Sequence, residues 1–131
     1  MDKEEAVKLD ASLIENGKKV IKVLDNTVVK PTSVFWFYFA DLESWRLIIS
    51  SPYYTEKNSQ DCYKDFIDRT NKTKFTRLKI SDVTLVPENN DLVNLLKVAV
   101  KTEADAIDGI TFTSNTINGV FIENAYIYRL S

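Results

Sequence analysis

The fold is decided by residues 33–52, which read Ser33-Val-Phe-Trp-Phe-Tyr-Phe-Ala-Asp-Leu-Glu-Ser-Trp-Arg-Leu-Ile-Ile-Ser-Ser-Pro52. This stretch holds both tryptophans and three of the seven phenylalanines of the chain. Aromatic and β-branched residues favour strands, and the polar segment at residues 41–44 divides the stretch into two runs of strand length. We predict a β-hairpin, with strands at residues 33–40 and 45–50, at the centre of a sheet.

The first of these strands is apolar on both faces. Val34, Trp36 and Tyr38 point one way, and the phenylalanines between them point the other way. A strand of this kind is normally covered on both sides. The second strand is half polar on the face that carries Arg46. We therefore expect one sheet face to be core, and the other to be covered by a helix or used for association.

Six further segments have the spacing of a helix or a strand. They are helices at about residues 2–26, 59–70 and 90–100, and strands at about residues 80–86, 110–114 and 120–130. Asn118-Gly119 is a strong hairpin signal, because both residues tolerate the positive φ of a type I′ turn. We predict a single domain, residues 1–131, of the α+β class. Its mixed, mainly antiparallel five-stranded sheet carries three helices in the order α-β-β-α-β-α-β-β.

The first predicted helix carries two local signals. Asp2 with Glu5 resembles a capping box at its start. Gly17 lies in its interior, where glycine costs about 1 kcal/mol relative to alanine. We interpret Gly17 as a close packing contact or as a break between two shorter helices.

The composition excludes several chemistries. The 131 residues include no histidine and one cysteine. Catalysis by Ser-His-Asp or Cys-His groups, histidine-ligated zinc and thiolate zinc fingers are therefore excluded. Cys62 borders the apolar stripe of the second helix and is interpreted as a small buried hydrophobic residue. We predict no cofactor, and whether the chain is an enzyme stays open because it carries no recognisable catalytic motif.

Charge and hydropathy indicate where the protein resides. The net charge is −2, so we do not expect nucleic acid as the main partner. No uncharged apolar run approaches the roughly 20 residues of a membrane span, and the N-terminal residues lack the apolar core of a signal peptide. A single cysteine fits a reducing compartment. We predict a cytoplasmic protein with no membrane partner.

Tyrosine and tryptophan are more numerous than one small core can bury with their polar atoms satisfied. These residue types are also enriched at protein interfaces. We predict an interaction or accessory protein without its own catalysis, which self-associates (a homodimer is one form) or docks on a larger protein. The predicted interface residues are Trp45, Tyr53, Tyr54, Tyr126, Tyr128 and Arg129. The competing interpretation is a monomer in which a helix covers this face.

The last predicted strand breaks the alternation of polar and apolar residues. Ile122, Asn124 and Tyr126 would share one face, and Glu123 and Ala125 the other. A β-bulge near residues 123–124, or burial of the strand on both faces, would explain this pattern.

Two alternative functions depend on charged residues. Asp105 and Asp108, with Glu123 and also Asp82, could hold a divalent metal for a phosphodiesterase or nuclease. The simpler interpretation of the acidic pair is a solvated loop after a helix.

The second alternative is weak nucleic-acid binding. Residues 69–79 hold five cations and no acid, and Lys72, Lys74, Phe75 and Arg77 would supply phosphate contacts and a stacking ring. The simpler interpretation is a solvated helix end followed by a strand edge that lysine and arginine protect from pairing.

Overall fold

A computed structural model of the chain describes residues 8–131, with the side chain of residue 56 left out. Three α-helices and five β-strands lie within these residues. They are α1 (Ala11–Asp25), β1 (Ser33–Phe39), β2 (Ser44–Ser51), α2 (Ser59–Thr70), β3 (Val83–Pro87), α3 (Asp91–Ala99), β4 (Ile110–Ile117) and β5 (Val120–Leu130). The predicted α+β class and element order are confirmed.

The sheet is mixed and has the strand order β3-β2-β1-β5-β4. β1 is its central strand and pairs antiparallel with both β2 and β5. β2 and β3 are parallel, with α2 in the connection between them. β4 pairs antiparallel with β5 alone, so β3 and β4 form the two edges. The aromatic hairpin therefore lies inside the sheet, as the sequence predicts.

Both faces of the sheet are covered by helices. α1 and α2 pack on the face that carries Trp36, Leu47 and Tyr128. α3 packs on the opposite face, against Phe35 and Ile127. The alternation of β1 thus divides its aromatic rings between two cores, which is why both of its faces are apolar.

The start of α1 is set by Asp10. Its carboxylate accepts hydrogen bonds from the hydroxyl and from the backbone N–H of Ser12, the latter at 2.7 Å. These bonds lower the pKa of Asp10 below its usual value and complete an N-terminal cap. Residues 8–10 are not helical, so the predicted helix was too long there. The predicted cap at Asp2 and Glu5 lies outside the described residues.

Gly17 is the point where α1 approaches β5 most closely. It is buried, and a Cβ at this position would lie 2.3 Å from the Tyr128 hydroxyl oxygen. The predicted packing contact is therefore correct, and α1 continues through Gly17 as one helix.

Two strand limits differ from the prediction by three residues, and the other strand limits agree with it to within one residue. β3 begins at Val83 because residues 80–82 form a 3-10 turn. The Asp82 carboxylate caps this turn by accepting a hydrogen bond from the Lys79 backbone N–H at 3.0 Å. β4 runs on to Ile117 because Asn118 and Gly119, at φ 48° and 80°, form a two-residue turn. The predicted turn at Asn118-Gly119 was correct, but the strand that leads into it, β4, is longer than predicted.

A β-bulge lies near the end of β5. Val34 faces Arg129 and Phe35 faces Ile127, so Tyr128 is the extra residue. The bulge places Tyr128 and Arg129 together on the α1 side of the sheet. Of the two explanations that the sequence offered, burial of β5 on both faces is correct, because Tyr128 lies in the α1–α2 core and Ile127 in the α3 core, whereas the bulge lies at Tyr128 and not near residues 123–124.

The alternation also breaks earlier in β5, where Ile122 and Ala125 are both buried in the α3 core. The pairing of β4 with β5 keeps one register across this point. The unusual backbone lies on the neighbouring strand, at Ser114, which has φ 48°.

Candidate interaction surfaces

Three of the six residues predicted for an interface are buried inside the chain. Tyr54, Tyr128 and Arg129 are 2%, 0% and 1% exposed. Buried side chains offer no area to a partner, so these three are withdrawn from the interface. The face rich in tyrosine and arginine is the face on which α1 and α2 pack, and the competing interpretation of a helix cover holds there.

Tyr128 and Arg129 have internal partners instead. The Tyr128 hydroxyl accepts from Trp36 Nε1 at 3.1 Å and donates to the Ile14 carbonyl at 2.6 Å. Arg129 bonds both carboxylate oxygens of Asp25, at 2.8 and 2.9 Å. The Arg129 guanidinium also donates to the carbonyls of two loops, those of Pro31 at 3.0 Å and Ala106 at 2.9 Å. These groups tie α1 and the loops to β5.

Tyr54 differs because its buried hydroxyl has no hydrogen-bond partner among the described residues. Burial raises the pKa of Tyr54 above its ordinary value, and the nearby Asp65 adds to the effect. Its ring lies 6.1 Å from that of Tyr53. Tyr54 is thus a packing residue of the α2 side.

The other three predicted interface residues do not form one surface. Trp45 is half-buried, with its ring 5.4 Å from that of Tyr38. Tyr126 is half-buried over Gly109. Tyr53 is 43% exposed, with the Arg69 guanidinium 5.7 Å from its ring centre. A role for them in an interface stays a prediction.

The carboxylates of the metal hypothesis are not gathered into a site. Asp105 and Asp108 are exposed in the loop between α3 and β4, and Glu123 is half-buried in β5. Asp82 caps its own turn. Within residues 8–131, no three potential metal-ligating side chains of cysteine, aspartate or glutamate lie together. The metal hypothesis therefore gains no geometric support.

The basic stretch does not present a stacking ring. Phe75 is half-buried and packs against the core under α1 and α2. Arg77 pairs with Asp10 at 3.4 Å, and the Lys74 carbonyl accepts from Lys19 Nζ at 3.3 Å. Lys72 and Lys74 are exposed. The stretch therefore packs on α1 and offers cations without an exposed aromatic ring.

The two edges of the sheet differ in protection. β3 has five residues, ends at Pro87, and its Leu85 N–H is bonded to the Tyr63 hydroxyl at 3.0 Å. Short length, proline and a side-chain cap all hinder pairing with another strand. The β3 edge is therefore guarded.

β4 has none of these protections. It has eight residues, of which only Ile117 is buried, and the sequence between Asp108 and Glu123 contains no charged residue and no proline. The turn at Asn118 makes Ile117 and Val120 a hydrogen-bonded pair, so alternation points the amide of Thr116 away from β5. Phe112 and Ile117, five residues apart, both face the α3 core, so the alternation is interrupted at Ser114, and the residues that point outward before it are Thr111 and Thr113. Among the described strands, β4 pairs with β5 alone, so its outer side has no strand partner.

Exposed apolar side chains accompany this edge. Ile110 on β4 is 44% exposed, and Val120 and Phe121 beyond the turn are 47% and 63% exposed. The prediction of interface residues by aromatic content missed β4, although its lack of charge is visible in the sequence. What the sequence does not reveal is that β4 forms an edge.

Comparison with known proteins finds no matching family model, no matching curated protein and no matching solved structure. The function is therefore argued from the residues of this chain. Among the described helices, none is long and apolar enough to cross a membrane.

Proposed function

We propose that this chain is a small interaction protein without catalysis of its own, and that it acts by self-association through the outer edge of β4. The observation that carries the proposal is an uncharged eight-residue strand at the edge of the sheet, which pairs with one strand only among the described residues. Exposed edges of this kind pair with other strands, and natural proteins normally block them. The guarded edge at β3 makes the open edge at β4 more significant.

A two-fold axis beside β4 would pair it antiparallel with its own copy, and the two sheets would become one sheet of ten strands. Such an interface is self-complementary and closed. No like charges would meet, because β4 is uncharged.

The expected affinity follows from the number of new hydrogen bonds. About half of the eight residues of β4 in each copy point outward, which allows at most about eight bonds, each worth about 0.5–1.5 kcal/mol net. The bend at Ser114, with φ 48°, limits how many form. Association itself costs about 4–15 kcal/mol. We therefore expect a dissociation constant in the micromolar range or weaker, with Ile110 and Phe121 adding apolar contact.

The test is the molar mass in solution, measured by light scattering after size exclusion, from about 1 μM to about 500 μM. The mass should rise with concentration from 15.0 kDa towards twice that value. The variant Thr111→Lys/Thr113→Lys places like charges on both strands of the pair and should stay monomeric. The matched control Val28→Lys/Thr55→Lys adds the same charge at two exposed positions outside β4 and should associate like the parent chain.

Amide hydrogen exchange locates the contact. The amides of Thr111, Thr113 and Thr116 should gain protection as the concentration rises, while those of Phe112 and Ile117, which point towards β5, should change little. A constant monomer mass, or association that survives the β4 lysines, would contradict the proposal. A monomer that gains β4 protection only with another protein would favour docking on a larger partner, the other form that the sequence suggests.

The remaining hypotheses have less support. A metal-dependent phosphodiesterase would need Asp105, Asp108 and Glu123 to converge, and nucleic-acid binding would need Phe75 to present its ring. Titration with Mg²⁺ and Mn²⁺, followed by calorimetry, tests the first of these directly.

A further inference from the structure

A groove lies between the C-terminal half of α2 and residues 71–83, on a surface separate from β4. Its volume is about 240 Å³. Its apolar lining comes from Phe66, Ile67, Phe75, Leu78, Ile80 and Val83. Ile67 and Ile80 are each 46% exposed, so two large apolar side chains at the groove are left half open to water.

The border of the groove is cationic. Lys79 lines it, and residues 69–79 contribute four further cations and no acid. Arg69 is paired with Asp65 at 2.7 Å, and Arg77 with Asp10 at 3.4 Å. Lys72, Lys74 and Lys79 have no ion pair within the described part of the chain. Lys79 is therefore an unpaired cation of the groove itself, and Lys72 and Lys74 are unpaired in the segment whose neighbouring residues line it, within the part of the chain that the structure describes.

Size indicates what such a groove accepts. Sites for whole small molecules usually occupy about 300–1,000 Å³, so 240 Å³ suits one or two large side chains better than a cofactor. Apolar side chains inserted into a groove, with charged residues around them, are the usual anchors of a bound peptide segment. The three lysines favour a segment with carboxylates on either side of its anchor.

We infer that this groove docks a short acidic segment of a partner protein. One or two large apolar side chains of the segment occupy the space between Ile67 and Ile80, and its carboxylates face Lys72, Lys74 and Lys79. The inference goes beyond self-association through β4, and the two surfaces are tested by different variants. Nucleic acid is a poorer occupant, because Phe75 is half-buried against the core and offers only part of its ring at the groove, less than a stacked base needs.

The test starts with selection of random 12-residue peptides displayed on phage against the full chain. The enriched peptides should combine one or two large apolar residues with at least two carboxylates. The most enriched peptide, labelled with fluorescein, should bind with an anisotropy change that weakens as salt is added. Ile67→Glu should weaken this binding at least tenfold, and Lys79→Gln about threefold.

Two controls match these variants. Val98→Glu alters an exposed apolar position on α3, across the sheet, which is 62% exposed against 46% for Ile67, and Lys101→Gln removes an exposed lysine outside the groove. Neither should change the affinity, and circular dichroism should show all four variants folded. The inference is overturned if enriched peptides lack carboxylates, if Ile67→Glu binds them unchanged, or if single-stranded oligothymidine displaces them. It is also overturned if Ile67→Glu abolishes the dimer, because the groove would then belong to the contact between copies.

Discussion

Removing either partner of the Asp25–Arg129 pair should destabilise the protein, and the two losses should be unequal. The Arg129 side chain is 2% exposed, whereas that of Asp25 is 38% exposed. Asp25→Ala leaves the Arg129 guanidinium almost inaccessible to water, with two hydrogen-bond acceptors left to it, the carbonyls of Pro31 and Ala106. We expect a loss of about 3–5 kcal/mol in the free energy of unfolding, the range for an uncompensated buried charge.

Arg129→Met should cost less, about 2–3 kcal/mol, through two lost carbonyl hydrogen bonds and one lost ion pair. The carboxylate that remains at Asp25 can be hydrated, because more than a third of its side chain is open to water. The double variant Asp25→Ala/Arg129→Met should lose less than the sum of the single variants, since no unpaired charge is left in it.

The measurement is urea unfolding followed by tryptophan fluorescence. Arg77→Met is the matched control, because its ion pair with Asp10 is 61% and 42% exposed and should contribute less than about 1 kcal/mol. A smaller loss for Asp25→Ala than for Arg129→Met, or a double variant that loses the full sum, would refute an unpaired buried guanidinium as the cause.

Three further predictions concern α1, α3 and the buried tyrosines. Gly17→Ala should lower the free energy of unfolding by about 1–3 kcal/mol, despite a better helix propensity, because its Cβ would overlap the Tyr128 ring; a higher melting temperature would contradict this. Asn90→Ala should cost about 1 kcal/mol in urea unfolding, because the Asn90 side chain accepts the N–H groups of Leu92 and Val93 at the start of α3; an unchanged midpoint would show that the cap is dispensable. Burial raises the pKa of Tyr54 and Tyr128 above 10.0, so the unfolded chain loses these phenolic protons first. The free energy of unfolding should therefore be intact below about pH 10 and fall above it, by at most about 1.4 kcal/mol per pH unit for each tyrosine. Tyr54→Phe should reduce that slope at almost no cost near pH 7, since the lost hydroxyl has no described partner; an unchanged slope would contradict the assignment.

Local sequence signals were sufficient for the order of elements. Aromatic alternation identified β1, and Asn118-Gly119 identified the turn between β4 and β5. Each of these signals acts over a few residues, and the native structure agrees with it. The limits of the elements were less accurate, because side-chain caps at Asp10 and Asp82 compete with the hydrophobic pattern.

The candidate surfaces were harder to predict because they depend on distant parts of the chain. The partner of Arg129 is Asp25, 104 positions away, and no local pattern connects the two. A single bulged residue, Tyr128, changes which face the following side chain occupies. The uncharged run over β4 is visible in the sequence, but its exposure follows from the strand order.

The central position of β1 has a consequence for the newly made protein. One side of β1 pairs with β5, through residues 33–37 of β1 and residues 125–130 of β5. The sheet therefore stays divided during synthesis until residue 130 has left the ribosome. At about 5–20 residues per second, the emerging aromatic hairpin waits several seconds with an unpaired flank. Contacts this distant along the chain also slow the folding step itself. A nascent chain stalled before β5 should therefore need a chaperone, whereas a completed chain should not.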